Sequence, residues 1–272
     1  SNQTLDSPTD SGTTIGNYST WNPLNATRLS TQVFEEGNLI YYDSTTSVGA
    51  SCVSTITATT GKFYAEFTLT DATGYGPKLG VAEMIDGGPV QTATSSRVGE
   101  DGLLTIGVGL NCTAAVAHTL HVNGSSTPSW STDTFADADI ILIAFDADTR
   151  EVWFGLNGSW IVSGDPAAGT GAAATITGTG PLLFANSSIQ SGGVQTKALA
   201  NFGQKGFTYT PPSGFVALCT ANLAAPTVTK PTDQFLPIVY EGNGAGQRVG
   251  NFIPFTDTFA VGASCRFDEP DS

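Results

Sequence analysis

The sequence predicts an all-β protein folded as a sandwich of two antiparallel sheets. Three observations carry this. Apolar residues alternate with polar ones in short segments, the mark of strands with one face on a core. No segment sustains an apolar stripe of helical period. Asp, Glu, Lys and Arg make up only 12% of the 272 residues, too few to furnish exposed helix faces. Turn chemistry separates the segments, as at Asn157-Gly158, a pair suited to the positive φ angles of a tight hairpin.

Taken in order, "GNLIYYD" (37–43) and "SCVSTIT" (51–57) read as the first strands. "KFYAEFTLT" (62–70) turns Phe63, Ala65, Phe67 and Leu69 to one face and Tyr64, Glu66 and Thr68 to the other, which predicts a half-buried strand. "KLGVAEM" (78–84) and "LLTIGVG" (103–109) follow. "DIILIAF" (139–145) is apolar on both faces and predicts a central strand. It pairs as a hairpin with "EVWFGL" (151–156). The Gly/Ala-rich segment 164–180 reads as a mobile loop. "PLLFANS" (181–187) and "KALANFG" (197–203) complete the series.

Residues 1–17 lack an apolar period and read as a linker or extended arm. The sandwich spans 18–221, and 222–235 is a Pro-rich linker. Residues 236–272 read as an extended arm or the start of a further β domain. Phe252, Ile253, Phe255, Phe259 and Val261 are too few to close a core, yet they need cover. Within this tail, "GNGAGQRVG" (242–250) lacks the residues of a phosphate-binding loop and reads as a turn.

A formal net charge of −14 argues against nucleic acid and anionic membrane surfaces as partners. No run of about 18 apolar residues exists to insert into a bilayer. Cys52, Cys112, Cys219 and Cys265 stand far apart with no CxxC spacing, which argues against zinc. Buried free thiols are expected, with two disulfides as the alternative.

The chemistry question centres on "FDADTREVWFGLNGSW" (145–160). Asp146, Asp148 and Glu151 have the residue types of a glycosidase acid and base. They equally suit a hairpin tip, where an Asp accepts N–H bonds from its own turn. Family 16 glucanases carry their carboxylates on alternate positions of one strand; here the spacing is i, i+2, i+5, and the hairpin-tip reading is preferred. His118 and His121 occupy opposite faces of any strand that holds both, a poor metal geometry, and read as sheet-surface or loop residues. No nucleophile elbow accompanies them. No cofactor is expected; Asp137 and Asp139, or Asp146 and Asp148, offer at most a loose Ca²⁺ contact. Trp130 and Trp160 sit beside turn residues. Exposed there, each would stack on a sugar ring or anchor a protein contact; buried, each closes an end of the core. Both readings stand. Trp130, Trp160, Asp146 and Asp148 are therefore the candidate ligand-binding residues. Trp21 and Trp153 are expected to be buried.

"TGKFYAEFTLT", "LGVAE", "DIILIAFDADTREVWFGLNGSW" and "ANFGQKGFTYTPPSGF", in that order, resemble a SPRY domain. More specifically they look like the SPRY-like, concanavalin A-like jelly-roll sandwiches of large bacteriophage virion proteins, over roughly residues 18–235. "NFGQKGFTYTPPSGF" is the more specific stretch, whereas the hairpin with "LNG" is common to the wider superfamily. Phe63 stands where SPRY domains usually carry a Trp. The 164–180 segment is longer than the family pattern, so no ligand specificity seated there carries over. The tail "FIPFTDTFAVGASCRFDEPDS" resembles the first strand of a laminin G-like domain, which implies a longer parent chain. The resemblance implies a non-enzymatic virion structural protein, a binding or decoration module of a tail fibre, tail or capsid. Its partners would be other virion proteins or copies of itself, and a host surface glycan or protein. A secreted carbohydrate-binding module or lectin is the alternative, and a glycoside hydrolase of concanavalin A-like fold the second.

Overall fold

Residues 16–25, 31–44, 50–72, 76–84, 97–113, 118–188 and 197–224 are described by the computed structural model. The chain divides into two units, Ser1–Leu223 and Ala224–Ser272. The 225–235 part of the linker, the 236–272 tail with Cys265, and residues 1–15 of the N-terminal arm lie outside the described residues.

The first sheet contains β1 (Gln32–Glu35), β2 (Ile40–Asp43), β4 (Lys62–Asp71), β9 (Ile140–Asp146), β10 (Glu151–Leu156), β11 (Ser159–Trp160), β12 (Ala174–Thr175), β14 (Lys197–Asn201) and β15 (Val216–Ala217). Its strand order is β1-β2-β14-β4-β9-β10-β11, with β12 added on β10 and β15 on β4. The second sheet contains β3 (Ala50–Val53), β5 (Pro77–Glu83), β6 (Gly107–Asn111), β7 (His118–Val122), β8 (Ser125–Ser131) and β13 (Leu182–Ser188), in the order β3-β13-β5-β6-β7-β8. All pairings are antiparallel except β15 on β4. The described helical pieces are single 3-10 turns. This is the expected sandwich.

Alternation decides which side chains meet. Phe63, Ala65, Phe67 and Leu69 join Ile141, Ile143, Phe145, Val152 and Phe154 in the interior, facing Leu79, Val81, Val108, Leu110, Leu182 and Phe184 of the second sheet. Phe67, Phe184 and Phe202 pack edge-on and tilted around one another, and Trp21 closes over Phe67 and Phe202. The ends of the unit meet: Ser19 N–H donates to Leu218 O and Thr220 N–H to Asn17 O, both at 3.0 Å.

Several expectations need correction. The strand read at 103–109 lies at Gly107–Asn111. Its apolar run is split, because Leu104 belongs to a 3-10 turn and packs on the outside of the second sheet while Val108 and Leu110 enter the core. His118 and His121 lie on β7 as expected of sheet residues, but both are buried. His118 stacks on Phe135 with ring centroids 3.9 Å apart. The 164–180 segment is pinned rather than mobile: Asp165 and Thr170 exchange backbone hydrogen bonds, and Thr170 O accepts from the Trp153 indole at 2.8 Å. Cys52, Cys112 and Cys219 are buried thiols rather than disulfides, as expected, and burial pushes the first two well above the ordinary thiol range.

The largest difference concerns "KFYAEFTLT", which is buried on both faces. The outward row of Tyr64, Leu142, Ala144 and Trp153 forms a second apolar cluster with Phe215, flanked by Phe207, Tyr209, Trp160 and Ala172. The segment "NFGQKGFTYTPPSGF" supplies this cover. It is held by Glu66, only 2% exposed, whose carboxylate accepts from Thr208 N–H and Tyr209 N–H at 2.8 Å and from Tyr64 Oη at 3.1 Å. Burial, then the neighbouring Glu66 charge, pushes the Tyr64 phenol far above its usual range. A buried carboxylate is tolerated only when donors surround it. Glu66→Gln turns an amide N–H₂ toward backbone N–H donors and should cost about 1–3 kcal/mol, measured by urea unfolding.

Candidate functional site

Asp146 ends β9, and Glu151 opens β10 directly opposite it. Lys62 is the partner of Asp146 on the other side. Because Phe145 and Val152 point into the core, this row of Lys62, Asp146 and Glu151 lies on the outer face of the first sheet. Cross-strand partners stand about 5 Å apart at Cβ, near the separation a retaining glycosidase needs. The hydrogen bonds decide what these groups do. Asp146 Oδ1 accepts from the backbone N–H groups of Asp148 at 2.9 Å and Thr149 at 3.3 Å, and its Oδ2 lies 3.2 Å from Lys62 Nζ. Asp148 Oδ2 accepts from Gly61 N–H at 3.0 Å, and Ala147 N–H donates to Gly61 O, so the hairpin tip is tied to the start of β4. Glu151 Oε2 accepts from Thr149 Oγ1 at 2.8 Å. This is an Asx-type turn with an ion pair beside it.

The carboxylates named for Ca²⁺ are placed the same way. Asp137 accepts from Ala72 N–H, and Asp139 from Ala136 N–H and from the Asn157 amide, each at 2.7 Å. Asp139 precedes β9 and Asp146 ends it, so the length of a strand separates the two pairs. Asn157 also accepts from Ile140 N–H at 2.9 Å, which sets the β10–β11 turn at Asn157 (φ 48°) and Gly158 (φ 88°) against the start of β9.

The two Trp candidates are not brought together. Trp130, on the edge strand β8, packs edge-on against Phe154 of the main core at 6.1 Å. Trp160, on β11, packs edge-on against Tyr64 of the outer cluster at 6.4 Å. Both are half-buried. Beside Trp160, Val162 is exposed and left-handed (φ 54°, ψ 41°), a strained conformation for a β-branched residue.

Two charged assemblies escaped the sequence reading. Arg150, left-handed at φ 63° in the hairpin turn, donates to Ile176 O, Thr177 O and Gly180 O, and its Nη2 lies 2.5 Å from Glu83 Oε2. It joins the first sheet to β5 of the second and holds the 174–180 segment between them. The other assembly lies on the outer face of the second sheet. Lys78, wholly buried, pairs with Glu100 Oε2; Arg97 lies 2.7 Å from Glu100 Oε1 and 2.5 Å from Asp101; His121 Nδ1 is 3.6 Å from Glu100 Oε2. Lys78 begins the segment read as a strand at 78–84, and its partner Glu100 lies 22 positions along the chain, so no local signal marked the pair.

No family model matches the sequence, and no curated protein does. Among solved structures, the SPRY domain of human HERC1 is similar at a TM-score of 0.48 and 17% identity, covering 66% of this chain and 96% of that one. The PSpry domain of TRIM65 is similar at a TM-score of 0.46 and 12% identity, covering 68% and 92%. Both are SPRY domains. The sandwich assignment itself rests on this chain's own strand pairing.

The Arg150 and Asp148 contacts of the hairpin should differ in weight. Arg150→Ala strands Glu83 and frees three carbonyls, and should cost about 2–3 kcal/mol. Asp148→Asn keeps an oxygen for Gly61 N–H and should cost about 1 kcal/mol or less. Thermal unfolding of the two variants in one buffer checks the order.

Proposed function

We propose that this chain is a non-enzymatic binding or structural module of a phage particle, belonging to a tail fibre, tail or capsid. The observation that supports a structural rather than catalytic role is the engagement of Asp146. One of its oxygens holds two turn N–H groups and the other faces Lys62, so the best-placed carboxylate of the cluster is committed to the hairpin. General acid–base work needs a carboxyl oriented toward a substrate proton. The virion setting rests on the sequence resemblance of the stretches at 60–70, 139–160 and 200–215. Other virion proteins, or copies of this chain, are the partners that reading implies. Mass spectrometry of purified particles tests it: peptides of this chain at a fixed ratio to the major capsid protein are expected, and their absence from assembled particles overturns the reading.

A carbohydrate-binding module is the second reading. It is favoured by the half-buried Trp160 next to the exposed Val162, an apolar spot on a sheet edge. The first reading needs no glycan contact at Trp160, so glycan-array binding should be unaffected by Trp160→Ala. Binding that disappears in Trp160→Ala, with an unchanged circular dichroism spectrum, would favour the module instead.

A further inference from the structure

We infer that residues 97–104 form an acid-sensitive strap: protonation of His121 beneath it loosens its hold and uncovers an apolar patch of Val53, Ala82, Leu183 and Ala185. Val98 and Leu104 of the strap pack on that patch, forming a cluster separate from the main core. The floor is flat where the strap crosses it. A Cβ on Gly109 would collide with Val98 O, and one on Gly99 of the strap with His121 O. Beyond these contacts, Val98 N–H donates to Ser187 Oγ and Gly124 N–H donates to Gly99 O, both at 2.9 Å.

The charges distribute unevenly between strap and floor. The Arg97 contacts to Glu100 and Asp101 lie within the strap. Glu100 alone reaches the floor, through Lys78 and toward His121. Its two oxygens are already occupied by cations, Oε2 by Lys78 and Oε1 by Arg97. A proton on His121 Nδ1 would add a third positive charge, beside Lys78 and Arg97, to a cluster whose carboxylates are Glu100 and Asp101, in a site largely closed to water. Lys78 has no exposed position to withdraw to, whereas Glu100 is 23% exposed and sits on the strap. The strap is therefore the part that yields. The strands flanking His121 add no titratable group, since its register partners are Gly109 and Ser126.

Burial first, then the Lys78 charge, lowers His121 to about 4 from an ordinary 6.5. The closed strap thus favours the neutral ring. Its hold is complete above pH 6.5 and declines as pH falls toward 4. Lys78 is lowered by burial to about 8, so its own contribution changes only above that pH.

The protein has just two histidines, so His121→Gln leaves a single ring signal and assigns both in the proton NMR spectrum. The His121 ring should titrate well below 6.5. Amide exchange at Val98 and Gly124, corrected for intrinsic rates, should rise by about 25-fold from about pH 7.5 to pH 5 relative to core amides of β4, the expected effect of that shift. This range stays above the pI of 4.2. The same exchange should be flat in His121→Gln. A His121 midpoint at or above 6.5 in the unmodified protein overturns the inference without recourse to the variant. So does flat exchange in the unmodified protein, or an equal rise in His121→Gln.

Discussion

The constraint on which the rest depends is that the central pair β4–β9 is buried on both faces over most of its length. One row, from Phe63 to Leu69 and from Ile141 to Phe145, is covered by the second sheet. The other row, Tyr64, Leu142 and Ala144, has no sheet to face and takes its cover from irregular chain. Apolar surface left in water would cost roughly 25 cal/mol per Å², so the cover is an energetic requirement of the strand sequence.

Irregular chain brings unpaired backbone groups with it, and those need partners wherever they are buried. Glu66 meets the need for Thr208 and Tyr209, the Trp153 indole meets it for Thr170, and Arg150 meets it for Ile176, Thr177 and Gly180. In each case a polar side chain from a strand or its turn fixes a segment that has little ladder of its own. The second sheet repeats the arrangement on its outer face. There the 97–104 strap is anchored by Ser187 and by Lys78 through Glu100. On each outer face an irregular segment is thus fixed by a buried polar side chain, Glu66 on the first sheet and Lys78 on the second.

Such polar anchoring has a consequence for function. A loop held by apolar contact alone responds weakly to solution conditions, but a buried ion responds to protonation because desolvation separates its charged and neutral forms. Glu66 has three donors and no cation within its hydrogen-bonded set, whereas Glu100 sits among Lys78, Arg97 and His121. The two covers are therefore different in kind: hydrogen-bond donors alone hold the first to its sheet, whereas a cluster of cations and carboxylates holds the second.

The sequence by itself determined the class of fold, the strands of strongest alternation and the inward row of β4, because strand period and Asn-Gly chemistry are local properties. It also identified the hairpin 139–156 and the turn role of Asp146, since an Asx-type turn is closed by residues two or three apart, whereas the Asp148 bond to Gly61 spans 87 positions. What only the tertiary structure decided is what covers the outward rows. Tyr64, Glu66 and Thr68 read as a solvent face because their cover arrives from residues about 140 positions later, with no periodic signature. Nothing local marked Lys78, because its partner Glu100 lies 22 positions along the chain. His118 and His121 read as surface for the same reason: whether a strand's polar residue is solvated depends on which distant segment lies over it, and spacing carries no information about that. Trp130 and Trp160 remained open in the sequence because a ring beside a turn is equally able to face inward or outward. Their half-burial follows from where Phe154 and Tyr64 stand in the assembled sheets.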